Sequence, residues 1–208
     1  MPNDDRTTKA RRYWDAYAPR YDREIRLFER LLFDDGRQWI CSRASGDVLE
    51  VAVGTGRNLP FYPADTALTG VDLSPAMLAI ASTRAANLQR PVDLREADAQ
   101  ALPWPDSSFD TVVCTLGLCT IPNDQAAIAE MWRVLRPGGR LLLLDHIGSH
   151  RWLIWAAQRL LELLTVRLAG EHQTRRPLPL VEAAGFVVQT AERSKAGTVE
   201  RLAAVKPI

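Results

Sequence analysis

Short apolar runs alternate with stretches of helical spacing along most of this chain. Residues 48–53, 67–71, 92–94, 109–114 and 140–144 read as strands. They are nearly all apolar, as parallel strands covered on both faces require. Between residues 10 and 33, Tyr13, Tyr17, Tyr21, Ile25, Phe28 and Leu32 recur at helical spacing. Pro19 is expected to split that stretch into two helices. Residues 34–44 read as a further helix. Ser74 and Pro75 form a helix start, with Ser as cap and Pro in the first turn. Met77, Leu78 and Ala81 give that helix an apolar face. Asn123 or Asp124 caps a helix running to about residue 135, and Arg136, Pro137, Gly138 and Gly139 make a sharp stop and turn. Residues 152–169 form an apolar helix with a narrow polar stripe. A short helix at 178–184 ends at Gly185. Residues 186–191 and 198–204 read as two strands joined by a turn at 195–197. That closing hairpin places one antiparallel strand in an otherwise parallel sheet. The pattern is that of a single α/β domain with helices on both faces.

Composition narrows this picture. The chain has 208 residues, 47% of them apolar, which suits one domain with a sizeable core. Residues 1–10 are polar and are expected to form a mobile tail. The net charge of +1 gives no bulk pull toward nucleic acid or an anionic membrane. Cys41, Cys114 and Cys119 lack metal-ligand or disulfide-framework spacing, so a reducing cytoplasm is the expected compartment. Arg159, Glu162 and Arg167 interrupt the most apolar run, which argues against a membrane span.

The candidate chemistry sits at strand ends, where open α/β sheets bind ligands. The first strand leads into Gly54-Thr55-Gly56, a turn that brings backbone close to a ligand. Asp72 ends the next strand, sixteen residues after Gly56, and a carboxylate there can accept both hydroxyls of a ribose. Asp98 can accept an adenine amino group, and the Ala99 amide can donate to a ring nitrogen. Leu73 and Met77 can flank the purine faces. A dinucleotide fold needs a third glycine in the loop, but Leu59 stands there and Pro60 and Pro63 cut the following helix short. This favours an adenosine cofactor without a pyrophosphate.

Four segments carry a family resemblance: LEVAVGTG at 49–56, GVDLSPAML at 70–78, EADAQALPWP with FDTVV at 96–113, and RVLRPGGRLLLL at 133–144. Together they resemble class I S-adenosylmethionine (SAM)-dependent methyltransferases, in the ubiquinone/menaquinone methyltransferase-like branch. The resemblance implies a Rossmann-like seven-stranded sheet with a reversed last strand. It implies SAM as cofactor, S-adenosylhomocysteine as product and no metal. Residues 11–44 would form a helical lid carrying Tyr13, Tyr17 and Tyr21, and 47–146 the SAM-binding core. Acceptor-side helices would occupy 150–184 and the closing hairpin 186–206. Gly54 and Gly56 would approach the methionine portion, with Glu50 orienting the loop or the methionine amino group. Asp72 would hold the ribose, Asp98 and Ala99 the adenine, and Thr115 or Leu116 the methionyl pocket. Ala52 departs from the pattern, since the family usually has glycine there.

The acceptor is less legible. The segments CTLGLC at 114–119, RPGG with Asp145-His146, and GEHQT at 170–174 are similar to the methyltransferase-like 7 type of thiol methyltransferases. Those animal proteins carry an N-terminal membrane anchor, which is not expected here. The glycine loop with Phe61-Tyr62-Pro63 is also similar to bacterial phosphatidylethanolamine N-methyltransferases. Candidate general bases are His146, beside Asp145 at a strand end, and His172 in a polar loop; His150 is a weaker third. The apolar 152–169 helix either packs on the sheet or forms a wall of a greasy pocket or a patch touching lipid. These readings lead to a small hydrophobic acceptor, a thiol before a quinone-type metabolite or phosphatidylethanolamine. Peripheral membrane contact stays open, as does the choice of monomer or homodimer, while integral insertion and nucleic acid are not expected. A non-catalytic SAM-binding protein is the rival of another class.

Overall fold

A computed structural model describes residues 2–208, with side chains from residue 5 onward. Seven strands form one sheet: β1 (Asp47–Val51), β2 (Ala67–Asp72), β3 (Asp93–Glu96), β4 (Phe109–Thr115), β5 (Leu135–His146), β6 (Val187–Ser194) and β7 (Val199–Val205). Their order is β3-β2-β1-β4-β5-β7-β6. Strands β1 to β5 pair in parallel, and β7 runs antiparallel between β5 and β6. The expected reversed last strand is therefore present.

Among the described residues, six helices surround the sheet: α1 (Pro2–Leu32), α2 (Gly36–Cys41), α3 (Pro75–Asn87), α4 (Asp124–Val134), α5 (Trp152–Ala169) and α6 (Pro177–Ala183). The period of two in β5 splits its leucines between two cores. Leu141 and Leu143 pack with Ile128 and Met131 of α4 and Val181 of α6. Leu142 and Leu144 pack with Ile40 and Cys41 of α2. The Ser74 hydroxyl accepts from the Met77 amide at 3.2 Å, and Asn123 caps α4 through the Ala126 amide at 3.0 Å. Both caps lie at carboxyl ends of the sheet, so they fix the edge on which the cavity forms.

Several elements differ from the sequence reading. Residues 2–10 are helical rather than a tail, and Met1 lies outside the described residues. Helix α1 runs unbroken through Pro19. A proline inside a helix costs about 3 kcal/mol; side-chain anchors along α1, described below, offset it. The 34–44 helix contracts to α2. After the glycine turn the chain makes only a 3₁₀ turn, Leu59–Phe61, because Pro60 and Pro63 end it. The Arg136–Gly139 segment is a bulge inside β5 rather than a turn before it. Phe109 pairs with Leu135 and Thr111 with Arg140. Lys206 closes the bulge through backbone bonds to Gly138 and Gly139 at 2.8 and 2.9 Å.

Helix α5 departs furthest. Its buried residues are Glu162 and Ala169, while its tryptophans and all six of its leucines are exposed. Glu162 is held by the Thr174 amide at 2.9 Å, the Thr174 hydroxyl at 2.6 Å and Arg159 at 2.9 Å. A charged side chain with that many donors outcompetes leucine for the protein-facing side. Among the described residues, no helix is long and apolar enough to cross a membrane.

Candidate active site

The backbone after β1 turns through three left-handed residues, Ala52 (φ 56°), Gly54 (φ 54°) and Gly56 (φ 75°). The glycines do different work. A Cβ on Gly54 would meet nothing within 4 Å, so this residue faces open space. A Cβ on Gly56 would press on Leu59 at 2.9 Å and Ala81 at 3.2 Å, so this glycine seats the loop on α3. Ala52 holds glycine-type backbone with a methyl group attached, its Cβ close against Gly117. That conformation costs an L-residue about 1–2 kcal/mol. Ala52→Gly is expected to raise the thermal midpoint by about 2–4 °C, a net gain near 1 kcal/mol after the entropy of the added glycine. Scanning calorimetry that finds a lower midpoint would show that the methyl contact outweighs the strain.

Three carboxylates stand at successive strand ends. Asp72 accepts from the Gly54 amide at 2.8 Å and the Ser74 amide at 2.9 Å, tying the loop after β1 to the end of β2. Burial pushes its pKa up to about 6, against the pull of those amides. Asp98 is engaged by its own loop: the Gln100 amide and side chain donate to it at 2.9 and 2.8 Å. Glu50 is buried and accepts from Asn58 Nδ2 at 2.8 Å and the Tyr62 hydroxyl at 2.9 Å. Burial raises its pKa to about 7, with Tyr62, Arg37 and Asn58 opposing. Asn58 is the hub: it also donates to Thr115 Oγ1 at 2.9 Å and accepts from Arg37 at 2.7 Å.

Glu50 therefore makes stability depend on pH. A carboxyl whose folded pKa lies above its unfolded value of about 4.5 favours folding while protonated, and the benefit disappears as pH rises through about 7. In the ligand-free protein, Glu50→Gln is expected to flatten the fall in unfolding free energy between about pH 4.5 and 7 by roughly 3 kcal/mol. Urea melts of both proteins across that range measure it. Parallel curves would show that Glu50 keeps its solution pKa.

These groups border a cavity with about 850 Å³ of empty space, open to solvent. Of the residues singled out from the sequence, Tyr21, Glu50, Ala52, Gly54, Asp72, Leu73, Met77, Asp98, Ala99, Thr115 and Leu116 line it. Gly56, Tyr13, Tyr17, His146 and His172 are not among its lining residues. Tyr13 and Tyr17 stack on each other with centroids 5.7 Å apart, and the Tyr17 hydroxyl donates to Glu24 at 2.8 Å. The reason is geometric: each four-residue step turns about 40° around a helix of 3.6 residues per turn. Only the last tyrosine of the series reaches the wall, joined there by Ala10 and Trp14.

A seven-residue spacing drifts only about 20° per step, and α1 uses it to hold itself down. Asp15 accepts from the Ser74 hydroxyl at 2.6 Å and the Ala76 amide at 3.2 Å. Asp22 accepts from the Thr55 hydroxyl at 2.7 Å and pairs with Arg84. Glu29 accepts from Arg37 and Arg57, whose Nε atoms lie at 3.0 and 2.9 Å. This acidic stripe pins α1 over the cavity. The seven-residue spacing stands in the sequence, but its meaning does not, because its partners lie far along the chain.

His146 and His172 occupy separate polar clusters. His146 Nε2 lies 3.1 Å from Glu171, and atoms of His146, Glu171 and Cys119 fall within 4.8 Å of one another. Burial lowers the His146 pKa, but Glu171 and Asp145 outweigh it and raise the value overall. Its Nδ1 is buried with no hydrogen-bond partner among the described residues. Asp145 braces this cluster from behind, accepting from the His146 and Cys119 amides at 2.8 and 3.2 Å. His172 Nδ1 sits 3.3 Å from Glu162, tying its loop to α5. Burial and nearby carboxylates raise the Cys114 and Cys119 thiols, so both are inert at neutral pH.

Comparison with known proteins accords with this geometry. A family model described as a methyltransferase domain matches residues 49–143. The demethylmenaquinone methyltransferase of Thermus thermophilus is 38% identical over 179 residues, which cover 78% of this chain and 79% of that protein. Thiol S-methyltransferase TMT1A of Homo sapiens is 30% identical over 173 residues, covering 80% of this chain and 70% of that one. The phosphatidylethanolamine N-methyltransferase of Cereibacter sphaeroides is 39% identical over 118 residues, but the chain spans only 58% of its length. A SAM-dependent methyltransferase structure from Thermotoga maritima shares the fold, with TM-score 0.72 over 95% of this chain and 99% of that chain at 20% identity. The sheet order, the glycine turn beside three strand-end carboxylates and these relatives lead to one conclusion: the chain belongs to the SAM-dependent methyltransferases.

Proposed function

We propose that this protein methylates the sulfur of a small hydrophobic thiol, with Asp72 and Glu50 as the main cofactor-holding groups. The cradle suits SAM. Gly54 leaves its Cβ position empty beside the cavity, and Asp72 and Asp98 end adjacent strands on one wall. Asp72 takes the ribose hydroxyls, Asp98 and the Ala99 amide take the adenine edge, and Leu73 and Met77 take its faces. Glu50, held by Asn58 and Tyr62, accepts the methionine ammonium, while Thr115 and Leu116 line the methionyl end. SAM supplies an activated methyl group on a sulfonium whose leaving group is a neutral thioether. What the chain adds is alignment and exclusion of water, the second by laying Ala10, Trp14 and Tyr21 of α1 over the opening.

The observation that carries the choice of acceptor is that the carboxylates and arginines on the cavity wall are already committed. Glu50 is bonded to Asn58 and Tyr62, Asp72 to Gly54 and Ser74, Asp98 to Gln100, and Arg37 and Arg57 to Glu29. His146 stands outside the cavity lining and is held by Glu171, so it offers the acceptor no base there. Such a site suits a nucleophile that ionises largely by itself, and a thiol with pKa near ~8.5 does so more readily than a hydroxyl or carbon acid. Leu116, Ile121 and Pro122 give the remaining wall an apolar lining that fits a hydrophobic acceptor. The relative named a thiol S-methyltransferase supports the same reading. Incubation with labelled SAM and separate aliphatic thiols, aryl thiols, quinols and phosphatidylethanolamine tests it. Label is expected on the thiols. Transfer only to a quinol or to phosphatidylethanolamine would replace the thiol, and SAM binding without transfer to any acceptor would favour a non-catalytic role.

A further inference from the structure

We propose that α5 and the C-terminal part of α1 form one face that lies on an anionic lipid bilayer. On α5, Trp152, Leu153, Leu160, Leu163, Leu164 and Leu168 are 60–74% exposed. On α1, Leu27, Phe28 and Leu31 are 60–65% exposed. A soluble protein seldom leaves so many large apolar side chains uncovered together.

Contacts at both ends place the two helices side by side. Lys9 Nζ of α1 donates to the Arg167 carbonyl near the end of α5 at 2.9 Å. At the other end, Lys195 Nζ pairs with Asp34 at 2.8 Å, just beyond α1. The Ser149 hydroxyl, just before α5, donates to the adjoining Ala196 carbonyl at 2.7 Å. The helices therefore run antiparallel along the same side of the molecule, and each exceeds about 25 Å in length.

Charge selects the occupant. The one acid of α5, Glu162, is buried, and its exposed charges are Arg159 and Arg167, with Arg151 immediately before it. Arg23, Arg26 and Arg30 are exposed around the apolar residues of α1, against one exposed acid, Glu24. Asp34 and Asp35, just beyond, are paired with Lys195 and Arg201. The net charge of +1 thus conceals a face on which arginines surround leucine and tryptophan. That is the composition of a segment lying in a bilayer interface, where each basic residue near anionic headgroups contributes about 1 kcal/mol. A second copy of the chain fits poorly, because a two-fold contact through this face would set arginines against arginines. A bilayer would also present a hydrophobic acceptor to the opening that α1 covers. That consequence rests on the proposed acceptor, whereas the binding itself does not.

Cosedimentation with vesicles tests the proposal. The full-length protein is expected to bind phosphatidylcholine vesicles containing phosphatidylglycerol at least about 10-fold more tightly than phosphatidylcholine alone, and less tightly at high salt. The double variant Leu160→Glu/Leu164→Glu is expected to lose at least about 100-fold of that binding. Both side chains are exposed, so its thermal midpoint, SAM affinity and methyl transfer to a water-soluble thiol should match those of the parent protein. Failure of the parent protein to bind either vesicle overturns the proposal. So does a lipid-free dimer, seen by sedimentation, that the double substitution turns into monomer. Loss of thiol methylation with vesicle binding intact would count against the acceptor alone.

Discussion

Asp72→Ala raises the dissociation constant for SAM by about 100-fold or more, as titration calorimetry should show, while the protein stays folded. The expectation follows from where the carboxylate stands. Asp72 ends β2 at the cavity wall and bonds the Gly54 amide, so it both offers oxygen to a ligand and shapes the turn that approaches it. A hydrogen bond to a charged group contributes about 1.5–3 kcal/mol, and two orders of magnitude in affinity correspond to about 2.7 kcal/mol. Asp72→Asn keeps the size of the side chain and one acceptor oxygen but drops the charge, so its affinity should fall between the two. Calorimetric titrations that superimpose for parent and Ala variant would remove Asp72 from the binding site.

The second large effect concerns stability. Glu29→Ala is expected to lower the unfolding free energy by about 3–5 kcal/mol, the usual loss when one partner of a buried ion pair is removed. Glu29, Arg37 and Arg57 are 12%, 13% and 20% exposed at the side chain, so solvent compensates little. The damage should travel, because Arg37 holds Asn58 and Asn58 holds Glu50 and Thr115. SAM affinity should fall in the same variant, and Glu29→Gln, which keeps an acceptor, should recover part of both. Denaturant titration measures the first effect. A loss below about 1 kcal/mol, the range of exposed pairs, would mean that α1 is held by its aromatic face instead.

What could be read in advance was governed by how local each determinant is. Ser74, Pro75 and Asn123 act within three or four residues, and the structure places them as helix starts. The carboxylates at 50, 72 and 98 could be placed because each stands at or just past a strand end, and the sheet delivers strand ends to one edge. Determinants that pair across the chain stayed hidden. Asp22 meets Arg84, 62 residues later, and nothing near Asp22 announces it. The same applies to Gln100, whose side chain reaches back to Thr7 as well as to Asp98. Apolar periodicity identified α5 but not its orientation, since one well-bonded glutamate decides which side faces the protein. The tyrosine series reaches the wall only at Tyr21 for a smaller reason, the drift of a four-residue step.

Pro19 bears on how long a ligand stays. Its ring removes the N–H that would bond the Asp15 carbonyl, leaving α1 weakest between Asp15 and Asp22. The three anchors are thereby divided unequally. Asp22 and Glu29, with their arginines, hold the C-terminal side, while the other side is held by Asp15 through two neutral donors, by Lys9 on the Arg167 carbonyl, by Gln100 on the Thr7 hydroxyl and by an exposed Arg11–Glu96 pair. Ala10 and Trp14, which cover the cavity, belong to the lightly held part. Lifting that part breaks single hydrogen bonds and one exposed ion pair rather than the arginine network. The cavity then opens from the N-terminal end of α1, while Asp22 keeps the Thr55 hydroxyl and the loop after β1 in place.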